Sequence, residues 1–208
     1  MEIIKAIWDW LGDSKEQIVS ISAVIAVIIA LCGLRTWRKE LKGKSEYQKA
    51  KDVLKAVYRV RQGFAWVRTP WINSWEYPVE MCDEKGQLKA EFDYQGTAHA
   101  YTNRKRQLDD AMAELKDQTL EAQVEWGEEF QNVIEPIAMC YSELFIAVWD
   151  FVESKRNDLS RRLTPQEIKD RNAKLHYLGE NNENDKFTSQ INAAIQGYEK
   201  KLRPHIIR

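Results

Sequence analysis

Residues 18–34, IVSISAVIAVIIALCGL, carry no charge. No other feature constrains the chain as much, because a run this apolar must find either lipid or a core. As a helix it extends about 26 Å, close to the roughly 30 Å hydrocarbon core of a bilayer. Its two ends differ. Lys5 and Lys15 on the N-terminal side are outnumbered by Glu2, Asp9, Asp13 and Glu16, whereas Arg35, Arg38, Lys39, Lys42 and Lys44 follow it closely. Such an asymmetry orients a span with its basic end in the cytoplasm. Trp8, Trp10 and Trp37 fall where an interfacial aromatic belt would place them.

Competing readings of the run make different demands. A cleaved signal peptide needs a basic leader and a small-residue cleavage site, and neither is present. A lipoprotein signal at Cys32 would need a smaller residue than Leu31 before the cysteine. A buried core helix accounts for the apolarity but not for the unequal flanks. The expectation is a transmembrane helix over residues 15–35, N-terminus outside and C-terminus cytoplasmic.

The flanking segments fit a membrane setting. In residues 1–14, Ile3, Ile4, Ile7, Trp8 and Leu11 share one helical face opposite Glu2, Lys5 and Asp9, the pattern of a short helix lying on a leaflet. Gly12-Asp13-Ser14 would form the corner into the span. A disordered terminus is the alternative. Inside the span, Ser22, Ala26 and Ala30 recur every four residues, a small-residue face that lets another helix approach closely. Self-association is therefore expected.

Charge is distributed in blocks. Residues 35–69 hold eleven Lys or Arg against three acids, and residues 70–208 sum to −7. The remainder, residues 36–208, reads as one cytoplasmic helical domain. A first helix is expected to reach Arg68, with Tyr47, Ala50, Leu54, Val57, Tyr58, Phe64 and Ala65 as its apolar stripe. Lys49, Lys51, Lys55, Arg59 and Arg61 lie mostly off that stripe, as a solvated face drawn to anionic lipid or as a nucleic-acid surface. Residues 69–97 break the pattern with two prolines and many aromatics, among them Trp71 and Trp75, and read as an ordered insertion or partner-docking surface.

Four further helices follow from periodicity and capping. One is expected over residues 98–126. Another, over residues 128–154, is apolar nearly all round and is expected to be the most buried, with a kink or break at Pro136. Thr164-Pro165-Gln166-Glu167 is a capping box with proline at the first helical position, opening a helix that should end at Gly179. A last helix, residues 185–202, should stop before Pro204. The fold class is all-α.

Chemistry is sparse. Cys32, Cys82, Cys140, His99, His176 and His205 show no metal-ligand spacing, so no metal or cofactor is expected. One hexapeptide stands out, Arg171-Asn172-Ala173-Lys174-Leu175-His176. It resembles the R-[NHK]-x-x-x-H signature of HEPN ribonucleases, in which histidine acts as general acid or base and arginine stabilises phosphoryl charge. The resemblance implies a HEPN-like bundle of four to five helices. Arg171, Asn172 and His176 are then the motif positions, with enzymatic activity uncertain because HEPN nucleases pair two motifs and each chain has one.

A single span, a basic juxtamembrane helix and a HEPN-like bundle together resemble the small membrane accessory proteins of type VI-B CRISPR loci. That resemblance implies an oligomeric pore in a bacterial inner membrane, working beside an RNA-guided, RNA-cleaving effector in antiphage defence. Its partners would be the lipid bilayer, further copies of the chain, and the effector nuclease or RNA. Two alternatives stay open, a membrane-anchored HEPN ribonuclease or toxin and a non-enzymatic membrane scaffold.

Overall fold

A computed structural model describes residues 2–5, 7, 15–156, 163–180 and 182–206, with the side chains of residues 15–18 left out. Among the described residues there are helices and no strands, apart from one isolated bridge between Cys82 and Leu88. The all-α expectation holds. Five long helices are α1 (Lys15–Val67), α2 (Asp93–Trp126), α3 (Glu135–Glu153), α4 (Pro165–Leu175) and α5 (Lys186–Ile206). The chain divides into two compact units, residues 1–47 and 48–208.

In the first unit, residues 2–5 and 7 are helical, and Ile3, Ile4 and Ile7 are exposed. Trp8, Trp10, Leu11 and the Gly12-Asp13-Ser14 corner lie outside the described residues. Within α1, every residue from 19 to 42 is exposed. Eight Val, Ile and Leu side chains between Val19 and Leu31 are 51–66% exposed. A soluble protein would bury such a stripe, since apolar surface left in water forfeits about 25 cal/mol per Å². This stretch has a mean hydropathy of 2.2 and none of it is buried, so among the described residues there is one helix long and apolar enough to cross a membrane.

The second unit is built on heptad seams. Ala50, Val53, Val57, Val60, Phe64 and Val67 of α1 repeat at alternating steps of three and four and are 0–2% exposed. Tyr101, Leu108, Ala111 and Leu115 continue the same rhythm on α2. Such a period keeps one face of each helix against its neighbour. The two helices run antiparallel: Lys49 pairs with Glu121 and Arg59 with Glu114, and a Cβ on Gly63 would touch Leu108. On α5, Phe187, Ile191, Ile195, Tyr198 and Leu202 complete the core. The Tyr58 hydroxyl donates to Glu199 at 2.8 Å and Arg68, just past the end of α1, to the Thr188 hydroxyl at 2.6 Å, so α5 runs antiparallel to α1.

Several expectations need correction. Helix α3 is not buried all round: Ile137, Cys140, Leu144 and Val148 face the core, but Met139, Ile146 and Trp149 are half or more exposed. The central helix is the α1 stretch from Ala50 to Val67, whose charged residues disguised it. Nor does α3 begin at Glu128. Gly127 (φ 79°) and Asn132 (φ 59°) adopt left-handed backbone that breaks the helix, and Pro136 sits in its first turn. The capping box at Thr164 and Glu167 forms as expected, but α4 ends at Leu175, where His176 turns extended, rather than at Gly179. Pro204 does not stop α5, which runs two residues further. Its missing N–H costs one bond of the last turn only. Finally, the insertion is shorter than expected, since α2 starts at Asp93 after three 3-10 turns.

Candidate functional site

The hexapeptide lies at the C-terminal end of α4. Arg171 donates from Nε and Nη2 to the Asn172 side-chain oxygen, both at 3.2 Å, and its guanidinium lies 5.3 Å from the centre of the Phe151 ring. Burial against α3 is the main influence on Arg171 and disfavours its charge, with the nearby Asp150 carboxylate opposing that effect. The His176 side chain is exposed and follows the helix rather than lying on it. Its backbone N–H still bonds the Asn172 carbonyl at 3.0 Å. Arginine and asparagine are thus brought together, and the imidazole stands apart from them at the cap.

What holds this end of α4 is a residue that periodicity alone did not single out. Arg68, 1% exposed, donates to the carbonyls of Lys174 (2.6 Å) and His176 (3.0 Å), so it satisfies acceptors that the helix end leaves open. It also donates to the Thr188 hydroxyl at 2.6 Å and to both oxygens of Asp185 at 2.8 and 3.0 Å. Burial would push the Asp185 carboxyl up. Donors from the Thr188 backbone and hydroxyl, the Leu178 N–H and Arg68 outweigh it and hold the group below its ordinary value. A planar fork of five donors is what lets one side chain tie three elements together. Above it a cleft of about 170 Å³ opens, lined by Arg61, Phe64, Tyr177, Glu180 and Asn192 among others.

A second buried arginine organises the Trp-rich segment. Arg104, also 1% exposed, occupies a core position of the α2 seam between Tyr101 and Leu108. Its Nε donates to Glu76 at 2.5 Å and its Nη1 to the Thr69 carbonyl at 2.7 Å, while Nη2 reaches the carbonyl of Trp71 and, at 2.8 Å, Glu76. The segment is thereby ordered, with Trp75 stacked on Trp66 at 6.0 Å. Trp71 and Trp75 are nonetheless 76% and 70% exposed.

The basic face of α1 is largely neutralised within the chain. Lys49, Arg59 and Arg61 pair with Glu121, Glu114 and Glu180 respectively. That leaves less charge for a phosphate backbone than the sequence implied. In the other unit, Ser22, Ala26 and Ala30 lie along one exposed line of α1, and Arg35, Arg38, Lys39, Lys42 and Lys44 are all exposed, Lys42 being 3.8 Å from Glu46.

Among the described residues no group of His, Cys, Asp or Glu is arranged to hold a metal ion. All three cysteines are free thiols, and burial pushes Cys140 up to about 11. No protein-family model, curated protein or solved structure matches this chain.

Proposed function

We propose that this is a single-span membrane protein that assembles in the bilayer and permeabilises it, as an accessory to an RNA-guided, RNA-cleaving CRISPR effector in antiphage defence. The observation that carries the membrane reading is the wholly exposed apolar stretch of α1 followed by a basic cluster. Charged groups are costly to move through hydrocarbon, so Arg35 to Lys44 would stay in the cytoplasm and hold residues 48–208 there. One span cannot enclose a conduit, so a pore of this kind is a ring of copies packed through Ser22, Ala26 and Ala30. Its bore would be apolar and would gate by dewetting. The accessory role comes from the resemblance of the architecture and of Arg171, Asn172 and His176 to the HEPN-like family.

Potential-sensitive fluorescence in cells holding both chain and effector tests this reading. Depolarisation is expected when target RNA is supplied, and an unchanged membrane potential under an active effector contradicts it. A second reading, a membrane-anchored ribonuclease, is favoured by the exposed imidazole of His176. It requires that the purified protein degrade single-stranded RNA and that Arg171→Ala abolish the cleavage. Intact RNA with the unaltered chain would exclude it.

A further inference from the structure

The cleft above Arg68 encloses about 170 Å³, a volume that suits one ring-sized group. A protein cavity of roughly 150 Å³ holds benzene, whereas sites for drug-sized molecules take about 300 Å³ or more. Its lining is mixed. Phe64 and Ile191, both buried, give an apolar floor. Tyr177 gives an aromatic wall, held in place by the 3.0 Å bond from its N–H to the Arg68 carbonyl. Polar groups complete the rim. The Gln62 side-chain amide has no hydrogen-bond partner among the described residues. Asn192 donates to the Glu180 carbonyl at 3.2 Å, which leaves its side-chain oxygen as an acceptor.

Two rows of side chains run away from this cleft. Lys51, Lys55, Tyr58 and Gln62 follow one another by steps of four, three and four, so they share one side of α1. Asn192, Gln196, Glu199 and Arg203 keep the same steps on α5. The bond from Tyr58 to Glu199 sets the rows side by side. With the helices antiparallel and rising about 1.5 Å per residue, Arg203 comes level with Lys55 or its neighbour. Unlike Lys49, Arg59 and Arg61, the cations Lys51, Lys55 and Arg203 have no ion-pair partner among the described residues.

We propose that the cleft takes one adenine base and that the cations beside it hold the attached phosphate, whether in a free nucleotide or in single-stranded RNA. Charge divides the site in this way. Inside the cleft Arg61 is paired with Glu180 and Arg68 with Asp185, so it suits an uncharged ring, while the unpaired cations lie along the rows outside it. Hydrogen bonding selects the base. A side-chain amide such as that of Gln62 pairs twice with adenine, accepting from its amine and donating to the adjacent ring nitrogen. Uracil has no amine to offer. Bases also stack on aromatic side chains such as Tyr177. The rim can adjust, because the Arg61–Glu180 pair is 35% and 49% exposed and thus weak enough for an incoming phosphate to displace the carboxylate. None of Arg171, Asn172 and His176 lines the cleft, so this site is distinct from the hexapeptide and goes beyond the pore reading.

The full-length chain in mild detergent is titrated with labelled oligoadenylate and oligouridylate, both 2′-O-methylated so that no 2′-hydroxyl is left to support cleavage, and with AMP as competitor. Anisotropy should show oligoadenylate binding about tenfold more tightly than oligouridylate at equal salt. Gln62→Leu, at an exposed position, should bring the two level. Ala65→Phe, which fills the cleft without changing charge, should do the same with helicity unaltered. Lys55→Gln should weaken both strands alike and lower the salt slope by about 0.7, and Lys116→Gln, exposed on α2, should do neither. AMP that competes at the strand's own affinity identifies a free nucleotide as the source, and AMP far weaker than the strand identifies RNA. Equal affinity of the unaltered chain for the two strands, a preference that survives both Gln62→Leu and Ala65→Phe, or no binding of any probe overturns the proposal.

Discussion

At the residue scale, two arginines do what the sequence assigned to none. Arg68 and Arg104 are each 1% exposed, and each joins a carboxylate to backbone carbonyls of other segments. Removing one partner of such a pair strands the other charge in the interior, at a cost of about 3–5 kcal/mol. Arg104→Ala should therefore lower the thermal midpoint of the second unit steeply, and a midpoint unchanged in calorimetry would contradict that role. The acids carry a pH signature. Burial raises the Glu76 carboxyl, but hydrogen bonds from Arg104 and Asn73 prevail, so it titrates below its ordinary value, as Asp185 does. Both are lower folded than unfolded. The stability they add is complete above the unfolded carboxylate range of about 4 and is lost as pH falls through the lower folded values. Glu76→Gln should lower the midpoint at neutral pH and make its fall in acid shallower; an acid limb parallel to the parent's is the opposing result. Both arginines were legible in principle, since Arg104 falls in register between Tyr101 and Leu108, and Arg68 follows Phe64 by four. Reading charge as surface hid them.

At the element scale, the helices announced themselves where capping or period was strong. The Thr164 capping box and the start of α4 follow from local chemistry that short peptides already obey. What local chemistry did not reveal was which helix is central. The all-round apolarity of α3 reads as burial when it is two faces, one for the core and one left outside. Likewise Lys49, Arg59 and Arg61 read as a free basic face until α2 and Glu180 supply their partners. The Trp-rich segment was recognisable as ordered from its aromatics, but its anchoring depends on a contact with α2 that no periodicity contains. Gly96 belongs to that anchoring, because a Cβ there would lie 2.4 Å from Leu88 Cδ1. Gly96→Ala should cost about 1–3 kcal/mol by displacing Leu88, measurable as a lower denaturant midpoint. Wild-type stability in that variant would show the segment to be loosely seated.

At the scale of the whole molecule, the charge blocks divide the labour. An uncharged helix stretch, a basic neighbour and an acidic helical remainder are each legible from composition, and the wholly exposed apolar surface between Val19 and Leu31 agrees with that division. The hexapeptide was legible as a motif, but its geometry was not, because the end of α4 at Leu175 and the clamp from Arg68 depend on residues more than a hundred positions away. The same clamp gives His176 a specific expectation. Its side chain is exposed, so His176→Ala should leave assembly and thermal stability within about 0.5 kcal/mol of the parent. A large loss of stability in that variant would contradict an exposed, unburdened cap at His176.

The function proposed for this chain presupposes that residues 18–34 reside in lipid. Alkaline extraction of membranes from cells expressing the full-length chain tests this most directly, because it strips peripheral proteins and leaves spans embedded. The chain is predicted to stay with the bilayer and to need detergent for release. Its recovery in the aqueous supernatant as a single folded chain would contradict the account.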